Sequence, residues 1–431
     1  MKKIRIAAGA LALLLVLIFV FPLLYPMNLY APQLEKNLSA LLGLPVKIGD
    51  ISVAYAPMPQ FVLEGVQLGG ADGASLSRVG VRPDYLSWIG GGMRIRQLTL
   101  DEGQVSGAFL VRSPDLLRSL SRDQHYLIRQ MQISRINIGM ARTAIGPVSG
   151  TLLLDRKGGF QELKVNLDES ASWLTVTPLD DRYLFSFESQ PWPMPGFDAL
   201  RFSTITVKGV GNSDGVEFND IRGVLYGGTL QGEAKLFHDG QWRLAGKYRL
   251  NNLQAEPLAL ATNKATTVEG RLNAHGTFLA SERFLEDLAL RPQLIAHASI
   301  KDGTVNNLDL ITAIRYNTSA GHGLRGGKTR FDDLTFDLLR RPQLLQFSGV
   351  NLQSGLLAAS GSLMLNDKQQ WGGQLSVRLK SPVNPLSAIL QVSGPLESPL
   401  LRPRPILAPG STQEEMAQPG EGNEDLSAVE N

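Results

Sequence analysis

The sequence predicts a mainly β protein, with an N-terminal transmembrane helix ahead of many short strands and a few short helices. Three observations carry this. With 44 Gly, 24 Pro and 7% aromatic residues, the chain is punctuated by turns at the density that many short strands require. Its strand-like runs alternate apolar and polar residues with period two, as strands with one wet face do. One such run is also copied. "GEAKLFHDGQWRLAGKYRL", Gly232 to Leu250, returns 129 residues later as "GSLMLNDKQQWGGQLSVRL", Gly361 to Leu379, with Gly, Leu, Trp and Leu at the first, fifth, eleventh and nineteenth positions of both.

A chain of 431 residues that is 43% hydrophobic has enough apolar surface for a sizeable core and is not disordered as a whole. Its net charge of +2, with no Lys/Arg cluster beside stacking aromatics, argues against nucleic acid as a partner. The absence of cysteine removes disulfides, thiol nucleophiles and thiolate metal sites from consideration.

In chain order, Lys2, Lys3 and Arg5 precede an uncharged run of 19 residues, Ile6 to Leu24, close to the roughly 20 needed to cross a bilayer core. A cleaved signal peptide is the competing reading. Its apolar region should be about 7–15 residues long and end in a small-residue site, whereas Phe19 to Leu24 is bulky. Residues 1–25 therefore read as an uncleaved inner-membrane anchor with a cytoplasmic N-terminus, and the bulk of the chain lies across the membrane, in a bacterium in the periplasm.

Residues 26–112 form the next unit. Leu34, Leu38 and Leu41 in "APQLEKNLSALL" recur at helical spacing and Gly43 follows as a stop. Alternating bursts broken by Pro57, Pro59 and Gly65 then read as strands. Residues 113–220 form a less typical β segment, with a second helix expected from Ser113 and Pro114 through Leu120. Residues 221–404 carry the strongest strand pattern, with short helices expected near Ser281 to Leu288 and Asn307 to Ile314. Residues 405–431 have acidic and no basic side chains and read as a disordered tail.

Strand parity puts Leu230, Leu236, Trp242, Leu244, Tyr248 and Leu250 on one face of the first copy, and Gln231, Glu233, Lys235, Arg243, Lys247 and Arg249 on the other. In the second copy the apolar set is Leu363, Leu365, Trp371, Leu375, Val377 and Leu379. A sheet with one apolar face must bury it by sandwiching, by closing into a barrel, or by curling around something that is not protein. The pattern alone does not choose among these.

Catalytic chemistry has no foothold in the pattern. His125, His238, His275, His297 and His322 lack metal-ligand spacing. Gly321-His322-Gly323-Leu324-Arg325-Gly326 matches G-x-G-x-x-G, but "RFDDLTFDL" follows it as a strand, not as the helix that would hold phosphate. The pairs Asp180-Asp181 and Asp332-Asp333 sit in turn-like contexts. No enzyme, metal or cofactor is expected.

Several stretches carry a resemblance. "LEKNLSALLGLPVKIGDISVAYAPMPQFVLEGVQLGG" at Leu34 to Gly70, "RIRQLTLDEGQVSG" at Arg94 to Gly107, and an ordered set from "LYGGTLQGEAKL" at Leu225 to "LQVSGPLESPLLRP" ending at Pro403 resemble the AsmA-like family. Residues 113–195 depart from its pattern. The resemblance implies a long, curled antiparallel sheet whose apolar inner face is an open, lipid-holding groove, related to the chorein-type bridge proteins. It implies movement of phospholipid, or another acyl-chain lipid, from the inner membrane toward the outer membrane, and the twelve apolar residues of the two copies would then line the groove. It also implies a link to outer-membrane protein assembly, where the alternative role is an assembly factor acting by strand addition. Some 20–25 strands at about 4.8 Å would span roughly 100–120 Å.

Overall fold

The computed structural model describes residues 27–404 apart from 56–58, 71–72, 85–86, 88–93, 108, 111–112, 114–115, 117–126, 140–143, 156, 168–170, 195–196, 213, 263–267, 285–286, 289–290, 316–322 and 381–384. The expected anchor, the acidic tail and most of the helix expected after Ser113 lie outside the described residues. Among those described, no helix is long and apolar enough to cross a membrane.

A 3-10 turn, Met27–Tyr30, leads into helix α1, Ala31–Leu42. Pro32 lies in its first turn, where a missing N–H costs nothing, and Gly43 closes it at φ 67°. The strands that follow are β1 (Val46–Lys47), β2 (Asp50–Ala54), β3 (Gln60–Leu68), β4 (Ala74–Pro83), β5 (Arg94–Ser106), β6 (Leu127–Ile128) and β7 (Gln130–Gly139). Next come β8 (Ala144–Leu154), β9 (Phe160–Leu167), β10 (Ala171–Leu179), β11 (Arg182–Gln190), β12 (Trp192–Met194), β13 (Phe197–Phe202), β14 (Thr204–Gly211), β15 (Gly215–Leu225) and β16 (Gly228–His238). β17 (Trp242–Gln254) runs into helix α2 (Ala255–Thr262); β18 (Val268–Glu282) and β19 (Gln293–Asn306) precede helix α3 (Leu310–Arg315). The chain ends in β20 (Leu324–Arg325), β21 (Lys328–Arg341), β22 (Leu344–Ser354), β23 (Leu357–Asn366), β24 (Gln370–Leu379), β25 (Leu386–Pro395) and β26 (Leu400–Arg404).

The expectation of a mainly β protein with few helices holds, and 24 strands join in one sheet, with β12 and β13 forming a hairpin of their own. From β7 onward the order is a meander of antiparallel neighbours, broken only where an insertion intervenes. The sheet is mixed, not antiparallel throughout, because β6 and β7 run parallel to β5. A parallel neighbour is out of reach of a hairpin. The chain must cross from Ser106 at one end of β5 to Leu127 at the other. Of the helix expected near Ser281 to Leu288, Ser281 and Glu282 instead extend β18 and pair with Arg243 and Trp242, Asp287 and Leu288 lie in a 3-10 turn, and residues 285–286 lie outside the described residues. α3 lies where a helix was expected, whereas α2 was not foreseen.

These registers define two rims. The connections β9–β10, β11–β14, β15–β16, β17–β18, β19–β21 and β22–β23 share one rim, and it carries the β12–β13 hairpin, α2 and α3. The opposite rim, which includes β10–β11, β14–β15, β16–β17, β21–β22 and β23–β24, is built of tight turns, apart from the longer β18–β19 loop. α3 packs against β21, β24, β25 and β26, and α2 against β13 and β18. β20 pairs with β26, so the sheet folds back on itself at its C-terminal end without becoming a closed barrel. A second, N-terminal core lies under α1, where Leu34, Leu38 and Leu42 pack on Val46, Ile51, Val66 and Leu76.

The N-terminal edge is closed by side chains. The backbone N–H groups of Val46, Ile48 and Ile51 donate to Ser39 Oγ at 2.9 Å, Glu35 Oε1 at 2.7 Å and Asn28 Oδ1 at 2.7 Å. An exposed edge strand offers unpaired N–H groups to another chain, and here residues from α1 and the turn before it occupy three of them.

Candidate functional site

Cross-strand pairing turns the alternation into a continuous surface. In the first copy Leu230 faces Leu250, Gly232 faces Tyr248 and Leu236 faces Leu244, so six predicted apolar positions share one face. Glu233 and Lys247 pair on the other face with Nζ and Oε1 2.7 Å apart. The same parity extends along the whole sheet. One row of partners runs from Val53 on β2 through Leu98, Leu152, Phe185, Gly246 and Leu294 to Gly394 on β25, and of its twenty residues only Arg340 is charged.

Bulges keep this face apolar where simple alternation fails. Asn252 adopts φ 56° and shifts the register between Leu250 and Leu253, so both leucines point to the same side and Leu253 is fully buried. The Asn252 N–H donates to Asn273 Oδ1 at 3.0 Å. Aromatic rings lie down on this face over cross-strand glycines. A Cβ on Gly209 would come within 2.6 Å of the Phe185 ring, and one on Gly246 within 2.6 Å of the Phe278 ring. Phe185 also meets Phe218 edge-on, with centroids 5.5 Å apart.

Depth divides the face. Toward the helix-bearing rim it is a packed core: Leu225, Leu253 and Leu272 lie in one cluster with Phe202, Ala255 of α2, and Leu310 and Ile314 of α3. Toward the turn rim, Phe185, Phe218, Leu236, Trp242, Leu244, Phe278 and Leu294 remain half-buried with the whole described chain in place. Tyr248 belongs to this half-buried set, and burial pushes its phenol up to about 12.

The twelve predicted residues therefore do not share one environment. Leu230, Leu236, Trp242, Leu244, Tyr248 and Leu250 are half-buried, as are Leu363, Trp371 and Leu379. Leu365, Leu375 and Val377 are 8%, 3% and 0% exposed, and the last two belong to the core around α3. Leu375 and Val377 are thus packing residues in this structure, a correction to their expected place in an open lining. The cause is α3, which the strand pattern of β23–β24 cannot reveal. The two copies lie on the same face but are not neighbours, since β18, β19, β21 and β22 separate them.

Other sequence candidates stay apart. His275 and His297 face each other on the polar side with ring centroids 5.5 Å apart, and His297 Nδ1 lies 2.8 Å from Asp337 Oδ1. Among the described residues no group of His, Asp or Glu is placed to hold a metal ion. The glycine loop at Gly326 and Gly327 joins β20 to β21, with no helix after it. Arg340 escaped sequence analysis, although the parity of Leu334, Phe336 and Leu338 in "LTFDLLRR" points to its face. No family model, no curated protein and no solved structure matches this chain.

Proposed function

We propose that the chain is a lipid-binding protein that holds the acyl chains of phospholipid in an open trough along the apolar face, and passes them from the inner membrane toward the outer membrane. The supporting observation is the twenty-residue row, uncharged except at Arg340, most of whose side chains are half-buried. Burying one CH₂ is worth about 0.8 kcal/mol, so an acyl chain laid along such a surface is strongly retained. Rings lying on glycines keep the floor shallow and leave depth for a ligand. The AsmA-like resemblance and the charge bias ahead of residues 6–24 favour an inner-membrane anchor, a cytoplasmic N-terminus and a periplasmic sheet.

Strand addition is the weaker reading, because three of the N-terminal edge N–H groups are taken by Ser39, Glu35 and Asn28. The opposite edge strand, β26, already carries β20 and contains Pro403, which has no N–H to offer.

The test is photo-crosslinking in intact cells with the full chain. A photo-reactive residue at Leu244 or Tyr248 should capture lipid, whereas one at Arg243 or Lys247 on the polar face should not. Equal capture from both faces sinks the proposal.

A further inference from the structure

Arg340 is the anomaly of the apolar face. It pairs with Leu294 on one side and Leu345 on the other, both members of the apolar row. It is exposed, and among the described residues its side chain has no ion pair or hydrogen bond. On the polar face some charges are paired, Glu233 with Lys247, Glu217 with Lys235, Asp220 with Arg222 and Asp101 with Arg135, at 2.7, 2.8, 2.8 and 3.2 Å. Others, Arg249 and Arg378 among them, have no partner among the described residues either, so what marks Arg340 is its place in the apolar row.

Arg340 also sits at the turn rim, where β21 ends, and is not alone. Arg341 follows it, and both Arg283 and Arg291 are exposed in the adjacent β18–β19 loop. Arg291 stands three residues before Leu294, the partner of Arg340. Glu282, opposite Trp242 across the β17–β18 ladder, is an acidic residue at the same rim, and Asp287 lies in the loop. By chain position and register Arg340, Arg341, Arg283 and Arg291 all lie along this rim, with Arg340 on the apolar parity and Arg341, the next residue of the strand, on the other. A guanidinium stays charged at any working pH and forms paired hydrogen bonds to oxyanions.

We propose that Arg340, with Arg291 and Arg283 of the adjacent loop as further cations at the same rim, is the anchoring site for an anionic phosphate, that of a lipid headgroup whose acyl chains lie along the apolar row. This deepens the lipid-binding reading and rests on it. The site fixes where the headgroup sits, at the turn rim between β18 and β22, and it gives the trough a preference for phosphate-bearing over neutral lipids.

The experiment uses the full-length chain in detergent with a photo-reactive residue at Leu244. It is offered phosphatidylglycerol or diacylglycerol with the same acyl chains, and inorganic phosphate in a separate arm. Phosphatidylglycerol should label better than diacylglycerol. Arg340→Gln should cut its labelling by about tenfold, the loss expected for a charge-assisted hydrogen bond, and leave diacylglycerol labelling and the thermal midpoint unchanged. Arg378→Gln on the polar face should change nothing. If Arg340→Gln labels like the unmodified chain, the headgroup site is wrong while lipid binding stands. If neither lipid labels the unmodified chain, the lipid reading itself has failed. If inorganic phosphate binds at Arg340 but phosphatidylglycerol is not preferred, the site is a free-anion site and the proposal is overturned.

Discussion

The hairpins Gly232 to Leu250 and Gly361 to Leu379 share their spacing of Gly, Leu, Trp and Leu, yet they fold in different registers. In the first, Gly232 pairs with Tyr248 and Trp242 with His238; in the second, Gly361 pairs with Leu375 and Trp371 with Leu365. The second hairpin is therefore shifted by two residues. Because side chains alternate with period two, this shift keeps every residue on its face, whereas a shift of one would have exchanged the faces. Surroundings differ more than register. Leu244 and Tyr248 face the half-buried region, while Leu375 and Val377 lie beneath α3. The comparison teaches that alternation fixes which face is apolar, and distant insertions fix what covers it.

The largest effect that would separate the two hairpins comes from placing a charge on each. Val377→Asp buries a carboxylate with no partner at a position of 0% exposure, a change that costs several kcal/mol. We expect loss of the cooperative thermal transition or failure to accumulate. Leu244→Asp meets water at a half-buried site, so the chain should stay folded and lose lipid crosslinking. Equal destabilisation by the two changes would mean that both hairpins are core.

Next in size is the cover itself. Leu310 on α3 is 1% exposed and sits on the C-terminal cluster. Leu310→Ala should cost about 2–5 kcal/mol through lost burial and a cavity. Denaturant melts should show this loss together with faster hydrogen exchange in β23–β24, while β16–β17 keep their protection. A uniform loss across both hairpins would show that α3 does not cover one in particular.

How much of this was legible follows from range. Face assignment for Leu230 to Leu250 is local and emerges from adjacent residues. The bulge at Asn252 is harder, because only its left-handed backbone reveals that Leu250 and Leu253 share a side. α2 starts in "AEPLALAT", where Glu256 and Pro257 in the first turn are a helix-start signal, but eight mostly apolar residues next to a strand are too few to show a helical period. Burial of Leu375 and Val377 depends on α3, more than fifty residues earlier in the chain. Arg340 was readable by parity alone, and a search for charged residues at apolar parity would have found it.

A smaller effect is expected where ring packing distinguishes the hairpins. Gly246 lies under Phe278, and its counterpart in the second copy is Leu375. Gly246→Ala brings a methyl within 2.6 Å of the ring and 2.4 Å of the Glu233 carbonyl oxygen, so ring and strand must shift. We expect a loss of about 1–3 kcal/mol, with Phe278 displaced into the trough and lipid capture at Leu244 reduced. Unchanged stability would show that the floor is loosely packed.

The smallest effect lies on the polar face. Glu233 and Lys247 have Ser362 and Ser376 as their counterparts in the second copy. The hydrogen bond from Lys247, and then its charge, hold the Glu233 carboxyl below its ordinary value of 4.5. A carboxyl whose folded pKa is depressed contributes stability that is fully present above the unfolded value and disappears as pH falls through the lower folded one. The pair is solvent-exposed, so its effect is local and screened by salt. Below pH 4.5, therefore, amide exchange in β16–β17, corrected for its intrinsic pH dependence, should accelerate relative to β23–β24, and more so at low salt. Glu233→Gln should weaken the pH dependence of that difference, leaving the part that comes from Glu217, which Lys235 of β16 likewise holds below its ordinary value. If the two hairpins loosen together, or if the Gln variant retains the full acid response, the Glu233–Lys247 pair is not what distinguishes their polar faces.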